Sequence, residues 1–306
     1  MLVSGDSKNL SPGLPGDNFP QPDGLIEIRN LSPVFAVDVS SSTKGRILEQ
    51  EKKSVSFVTS KLEPSTLIEQ SYILPWDSQP YNPISSDQVE TLQNGCGTNP
   101  LGIVDDSLCR EHLEQASIWF LMTDGAIKEP CVNAFANKIA EKRLHGTPAV
   151  LIVFGNRSCP PSQCNISAGM SVFAASPHYV FLFHDVWSQE LFILQAKGSF
   201  ASLLPKGSYF KSFGSGTRWS DLGQTTYAKL MSVRVASPIQ LLKDEVALPN
   251  GKIFDMTSIY NDSISQQERM QLMSSYSALD TILVVAETRG ESFLVKLWIE
   301  SLRRSI

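Results

Sequence analysis

Asp38, Ser40 and Ser42 stand in the spacing Asp-x-Ser-x-Ser directly after the apolar run Val34-Phe-Ala-Val. That run has the length of one buried strand, and a helical pattern from Lys44 to Leu62 follows at once. One carboxylate and two hydroxyls are thereby expected on a loop at the carboxyl end of a strand. Open α/β sheets hold their ligands at that edge. Three hard oxygen donors there suit a small hard cation such as Mg²⁺. Two more fragments carry matching chemistry: Gly97-Thr98 in a glycine-rich loop, and Asp124-Gly125 closing the apolar stretch from Ser117 to Thr123.

The elements that must position these residues read as α/β. Pro33 to Val39, Ser71 to Trp76, Ser117 to Thr123 and Ala149 to Phe154 are apolar and strand-length, without polar alternation. Helical patterns separate them, one with Pro130 near its first turn. This predicts a doubly wound, mostly parallel sheet covered on both faces. Val172 to Ala175 and Val180 to His184 read as further strands, and Leu191 to Lys197 is expected to pair with the latter across Trp187 to Glu190. Ser265-Gln-Gln-Glu268 has capping-box spacing, and helices on either side of Gly290 follow it. The resulting division is an arm over 1–30, an α/β domain with a β-rich extension over 31–204, a connection over 205–237, and a helical carboxyl region over 238–306.

The order Asp38-x-Ser40-x-Ser42, Gly97-Thr98, Asp124-Gly125 resembles the von Willebrand factor type A domain, over roughly residues 31 to 200. The strand ending Leu121-Met-Thr-Asp-Gly125 is close to the one usual in that family. The resemblance implies a Rossmann-like fold and a metal-ion-dependent adhesion site for Mg²⁺ (or Mn²⁺). Ser40 and Ser42 would bind through their hydroxyls and Thr98 directly or through water, with Asp38 and Asp124 acting mainly through bound water. One coordination position would remain for an Asp or Glu carboxylate of a protein partner. Neutral hydroxyl ligands leave much of the cation's charge uncompensated, which attracts such a carboxylate. Many members have Gly between the two serines where this chain has Ser41, and a left-handed backbone there would cost about 1 kcal/mol or more. Ile73-Leu-Pro-Trp-Asp77, Cys164-Asn-Ile-Ser-Ala-Gly-Met-Ser-Val-Phe173 and Gln195-Ala-Lys-Gly198 are similar to stretches of uncharacterised fungal proteins carrying this domain.

Composition sets the outer bounds. In 306 residues the formal charge is −5 and no Lys/Arg stripe appears, which argues against nucleic acid. No apolar run reaches the roughly 18–20 residues of a membrane span, and the first thirty residues lack signal-peptide features. A cytoplasmic protein is the expectation. Five cysteines, an odd number, then read as free thiols, and Cys159-x₄-Cys164 lacks the two further ligands zinc needs. Asp77 reads as a strand-end turn residue and His184-Asp185 as a buried strand end rather than an acid/base pair. An interaction module is therefore expected rather than an enzyme. A Mg²⁺-dependent hydrolase is the alternative, weakened by the missing nucleophile motif, base and phosphate clamps; a scaffold without metal is another. Dinucleotide binding fails for want of Gly-x-Gly-x-x-Gly after the first strand.

Overall fold

The computed structural model describes residues 24–165, 175–204, 216–248, 252–273 and 276–304. In chain order the strands are β1 (Ile26–Glu27), β2 (Pro33–Asp38), β3 (Tyr72–Trp76), β4 (Ile84–Ser85), β5 (Ile118–Thr123) and β6 (Ala149–Gly155). After them come β7 (Tyr179–Asp185), β8 (Leu191–Lys197), β9 (Gly223–Thr225), β10 (Arg234–Val235), β11 (Glu245–Ala247) and β12 (Ile253–Asp255).

Eight of these strands form one sheet in the order β4-β3-β2-β5-β6-β7-β8-β9. The neighbours from β3 through β7 pair in parallel, while β4, β8 and β9 pair antiparallel at the two edges. The chain runs outward from β2 to β4 and then restarts on the other side of β2 with β5. The order therefore reverses between β2 and β5, and the carboxyl ends of those two strands flank a topological switch point. Asp38 is the last residue of β2, and Asp124 follows directly on β5.

Both faces of the sheet are buried, which is why its central strands lack polar alternation. On one face Phe35, Val37, Phe120, Ile152 and Leu182 pack with Leu48, Val55 and Val58 of helix α1 (Arg46–Thr59). On the other, Ala36, Trp119, Leu121 and Leu151 meet α2 (Gly102–Asp105), α3 (Ser107–Gln115) and α4 (Glu129–Glu141) through Ile103, Leu113, Val132 and Phe135. A separate apolar cluster holds the carboxyl region together, with Val246, Met256, Ile282, Val285, Val295 and Trp298 at its centre.

Several elements differ from expectation. Helix α1 starts at Arg46 rather than Lys44, because Gly45 has φ +82°, a conformation that ends one turn before the helix begins. Within 205–237, expected as a connection, Gly223–Thr225 joins the sheet edge and Tyr227–Met231 is helical. The β10 strand pairs with β1, in the stretch expected as a loose arm. The carboxyl region opens with the β11–β12 pair before its helices. The expected strand Val172–Ala175 lies outside the described residues, save Ala175. The β7–β8 pairing and the helices on either side of Gly290 are as expected. So is the capping box: Ser265 N–H donates to Glu268 Oε2 and Glu268 N–H to Ser265 Oγ. All five cysteines are free.

Candidate cation site at the sheet switch point

The loop leaving β2 is held by its own short polar side chains. Ser40 N–H donates to Asp38 Oδ1 at 2.9 Å, the turn that an Asp favours two residues before a free amide. Thr43 Oγ1 donates to the carbonyls of Asp38 and Ser40 at 3.1 and 2.9 Å. These bonds wind Ser41–Thr43 into one 3-10 turn. Ser41 lies in that turn without a positive φ, so the backbone cost expected for a serine at this position does not arise. The turn leaves Ser40 Oγ and Ser42 Oγ 2.9 Å apart, Ser40 buried and Ser42 exposed. Cis oxygens on an octahedral Mg²⁺ lie about 2.9 Å apart when the metal–oxygen distance is 2.0–2.1 Å. The two hydroxyls fit one edge of such a shell.

Strand β5 contributes the second side. Met122 is in register with Val37, so Thr123 falls beside Asp38. Thr123 Oγ1 donates to Asp38 Oδ2 at 2.7 Å and accepts Gly125 N–H at 3.0 Å. Asp124 next to it accepts Ala126 N–H at 2.9 Å and is half-buried. Gly125 has φ +75°, and a Cβ there would lie 2.0 Å from the Asn165 carbonyl oxygen.

The Gly97-Thr98 loop is brought to the same edge by Asp77. Its carboxylate accepts Cys96 N–H at 2.6 Å, Tyr81 O–H at 2.8 Å and Gln79 N–H at 2.9 Å. Burial raises the Asp77 carboxyl, and these hydrogen bonds together outweigh it, leaving the group below the ordinary carboxylate range. A Cβ on Gly95 would lie 2.0 Å from Asp77 Oδ2, so that position requires glycine. Gly95 N–H also donates to the Val39 carbonyl, and Asn94 Nδ2 to that of Ser40, tying this loop to the β2 loop. Asp77 is thus the organiser of the Thr98 loop rather than a plain turn residue.

Of the five residues expected as ligands, Asp38, Ser40 and Ser42 form one hydrogen-bonded group. Asp124 adjoins that group through Thr123, and its charge pushes on Asp38. Thr98 lies on the tethered loop, half-buried, with no hydrogen bond to the other four among the described residues. Burial raises the Asp38 carboxyl to about 6, opposed by the bonds from Thr123 and Ser40 and assisted by the charge on Asp124. Beneath them lies Glu51 of α1, fully buried, with neither carboxylate oxygen bonded to a partner. Burial first, then the charges of Asp38 and Asp124, hold Glu51 well above its ordinary value. Neither Asp38 nor Asp124 has an ion-pair partner among the described residues. Uncompensated negative charge beside paired hydroxyls fits a cation. No three His, Cys, Asp or Glu side chains converge as a metal cluster among the described residues, so hydroxyl oxygens would have to complete the shell.

Sequence reasoning missed Thr123 and Glu51. Thr123 was legible as the neighbour of Asp124 once the β2–β5 register was drawn. Glu51 stands in the spacing Leu48, Glu51, Val55, Val58, an acid on an apolar helical stripe.

No protein-family model matches the chain. It is 22% identical over 254 residues to an uncharacterised protein of Acanthamoeba polyphaga mimivirus, a viral rather than a fungal relative. That alignment covers 76% of this chain and 41% of the relative, so the chain spans less than half of that protein's length. Among solved structures, an aerotolerance-related membrane protein of Bacteroides fragilis superimposes with a TM-score of 0.30 at 12% identity, over 65% of this chain and 83% of that one. The conserved hypothetical protein BatB of Bacteroides thetaiotaomicron gives a TM-score of 0.29 at 13% identity, over 65% and 82%. Likeness at that level carries no argument about activity. No helix among the described residues is long and apolar enough to cross a membrane.

Proposed function

We propose that this chain is a protein-interaction module of the von Willebrand factor type A kind, not an enzyme, whose bound Mg²⁺ (or Mn²⁺) accepts an Asp or Glu carboxylate of a protein partner. The observation that carries this reading is the joining of Asp38, Ser40 and Ser42 to Thr123 and Asp124 across the switch point of the sheet. Ser40 and Ser42 would hold the ion through their hydroxyls, with Thr98 completing the hydroxyl set and Asp38 and Asp124 balancing part of the charge. When bound, the cation supplies an electrophilic point for an incoming carboxylate. The chain's own residues orient it: Thr123 and Ser40 N–H fix the Asp38 carboxylate, and Asp77 fixes the Thr98 loop.

Affinity purification with mass spectrometry tests the reading. Partners recovered in Mg²⁺ are expected to be lost in EDTA and with Asp38→Ala. Partners that persist unchanged under both treatments overturn it.

A further inference from the structure

Lys44 and Arg46 follow the Ser40/Ser42 loop directly, and both are exposed. Arg46 reaches to the turn between β7 and β8, where its guanidinium carbon lies 3.7 Å from the centroid of the Trp187 ring. At that separation the two planes lie face to face. Neither Lys44 nor Arg46 makes an ion pair among the described residues, and Glu49, one turn further along α1, makes none with them. Arg157, after β6, differs: it pairs with Asp185 at 3.1 Å and Glu190 at 2.7 Å.

Trp187 is 61% exposed, yet the turn that carries it is braced. The Asp185 carboxylate accepts Trp187 N–H at 3.1 Å and the Ser188 hydroxyl at 2.8 Å. Val186 N–H donates to the Gly155 carbonyl and Gln189 N–H to that of Asp185. A large ring held in water on a braced turn, with an unpaired arginine stacked on it, has the make-up of an interface anchor. Trp and Arg lead such positions, and bracing lowers the ordering cost of binding.

The stack and the cation residues share one edge. Strands β2, β5, β6 and β7 are parallel neighbours, so their carboxyl ends lie side by side. Three strand spacings of about 4.8 Å set the end of β7 about 14 Å from that of β2. An extended peptide covers about 14 Å in four residues, and residues four apart point to the same side.

We propose that the partner docks through an extended acidic segment with two carboxylates four residues apart, one on the cation and the other on Arg46. This inference rests on the cation reading above. A stacked guanidinium keeps its N–H edge free to hold a carboxylate at two points. Lys44, between Ser42 and Arg46 in the chain, adds positive charge beside the path. In a chain of net charge −5, cations left unpaired at this edge are complementary to an acidic ligand.

The probes are three capped Gly/Ser peptides: one with two Asp residues four apart, and two in which one or the other Asp is Asn. Each is titrated in Mg²⁺ into the full ¹⁵N-labelled chain, with the Trp187 indole N–H as reporter. The two-Asp peptide is expected to bind about fivefold more tightly than either single-Asp peptide. Arg46→Gln should bind all three alike. Peptides that bind the wild type equally in Mg²⁺ and are lost in EDTA overturn this inference and leave the cation reading intact. An advantage that survives Arg46→Gln overturns it too. Binding unchanged in EDTA overturns both readings, as does the absence of any shift at millimolar peptide.

Discussion

Thr123 donates its hydroxyl proton to Asp38 across 85 residues of sequence, at 2.7 Å and with both residues fully buried. The same oxygen accepts Gly125 N–H, so one hydroxyl joins the carboxyl end of β2 to the loop after β5. Hydrogen bonds to charged groups contribute about 1.5–3 kcal/mol, and a buried donor left unpaired adds a desolvation cost. Thr123→Val keeps the shape and removes both bonds. We expect it to lower the free energy of unfolding by about 2–3 kcal/mol, read as a lower urea midpoint at unchanged slope. Thr123→Ser should retain most of the stability. A Val variant as stable as the wild type would sink this account of the β2–β5 junction.

Gly95→Ala tests how the Thr98 loop is held. The added methyl would lie 2.0 Å from Asp77 Oδ2, the acceptor of Cys96 N–H. Groups that orient a metal ligand typically cost 10–100-fold in metal affinity when removed. Calorimetric titration with Mg²⁺ should give a dissociation constant at least about tenfold weaker for Gly95→Ala and for Asp77→Asn. Unchanged affinity in both would remove Thr98 from the cation shell.

Glu51 gives the pH dependence a definite sign. Its folded carboxyl is held well above the ordinary 4.5, by burial first and then by Asp38 and Asp124. Between 4.5 and the folded value the unfolded chain has released this proton and the folded chain keeps it. The folded state then binds more protons, so stability falls as pH rises, by about 1.4 kcal/mol per pH unit. Glu51→Gln has no proton to release and loses that slope. Urea titrations in EDTA should show the variant gaining on the wild type as pH rises above 4.5. A difference constant with pH would mean that Glu51 is ionised in the fold.

The sheet was legible because its strands are buried on both faces. Runs such as Val34-Phe-Ala-Val and Ile118-Trp-Phe-Leu-Met have no alternation to confuse with a surface strand. The proposed cation residues stood out where short polar residues follow such a run abruptly, at Ser40, Ser42 and Asp124. What stayed hidden depends on pairs far apart in sequence. Thr123 matters because register sets it beside Asp38, and Asp77 because the chain folds back to bring the amide of Cys96 onto its carboxylate. Strand β9 is three residues long, Gly-Gln-Thr, and pairs only because β8 offers it an open edge. No local pattern encodes that.

Three buried histidines act against Glu51 and set the acid limb of stability. His145, His178 and His184 are each lowered from 6.5 to about 4, in every case by burial first. Lys197 also lowers His178, Arg289 and Lys197 lower His145, and Asp185 opposes the shift at His184. Below pH 6.5 the unfolded chain takes up protons that the folded chain excludes. Their contribution is complete above 6.5 and is lost as pH falls toward 4, by up to about 1.4 kcal/mol per pH unit for each. Asp38, raised to about 6, and Glu51 slope the other way between pH 4.5 and 6, but two carboxylates yield to three histidines. Above 6.5 the histidines no longer titrate in either state. Unfolding free energy in EDTA should therefore rise from about pH 4.5 to about 6.5, and more steeply in Glu51→Gln, where the opposing carboxyl is gone. An acid limb without slope would contradict the buried neutral imidazoles.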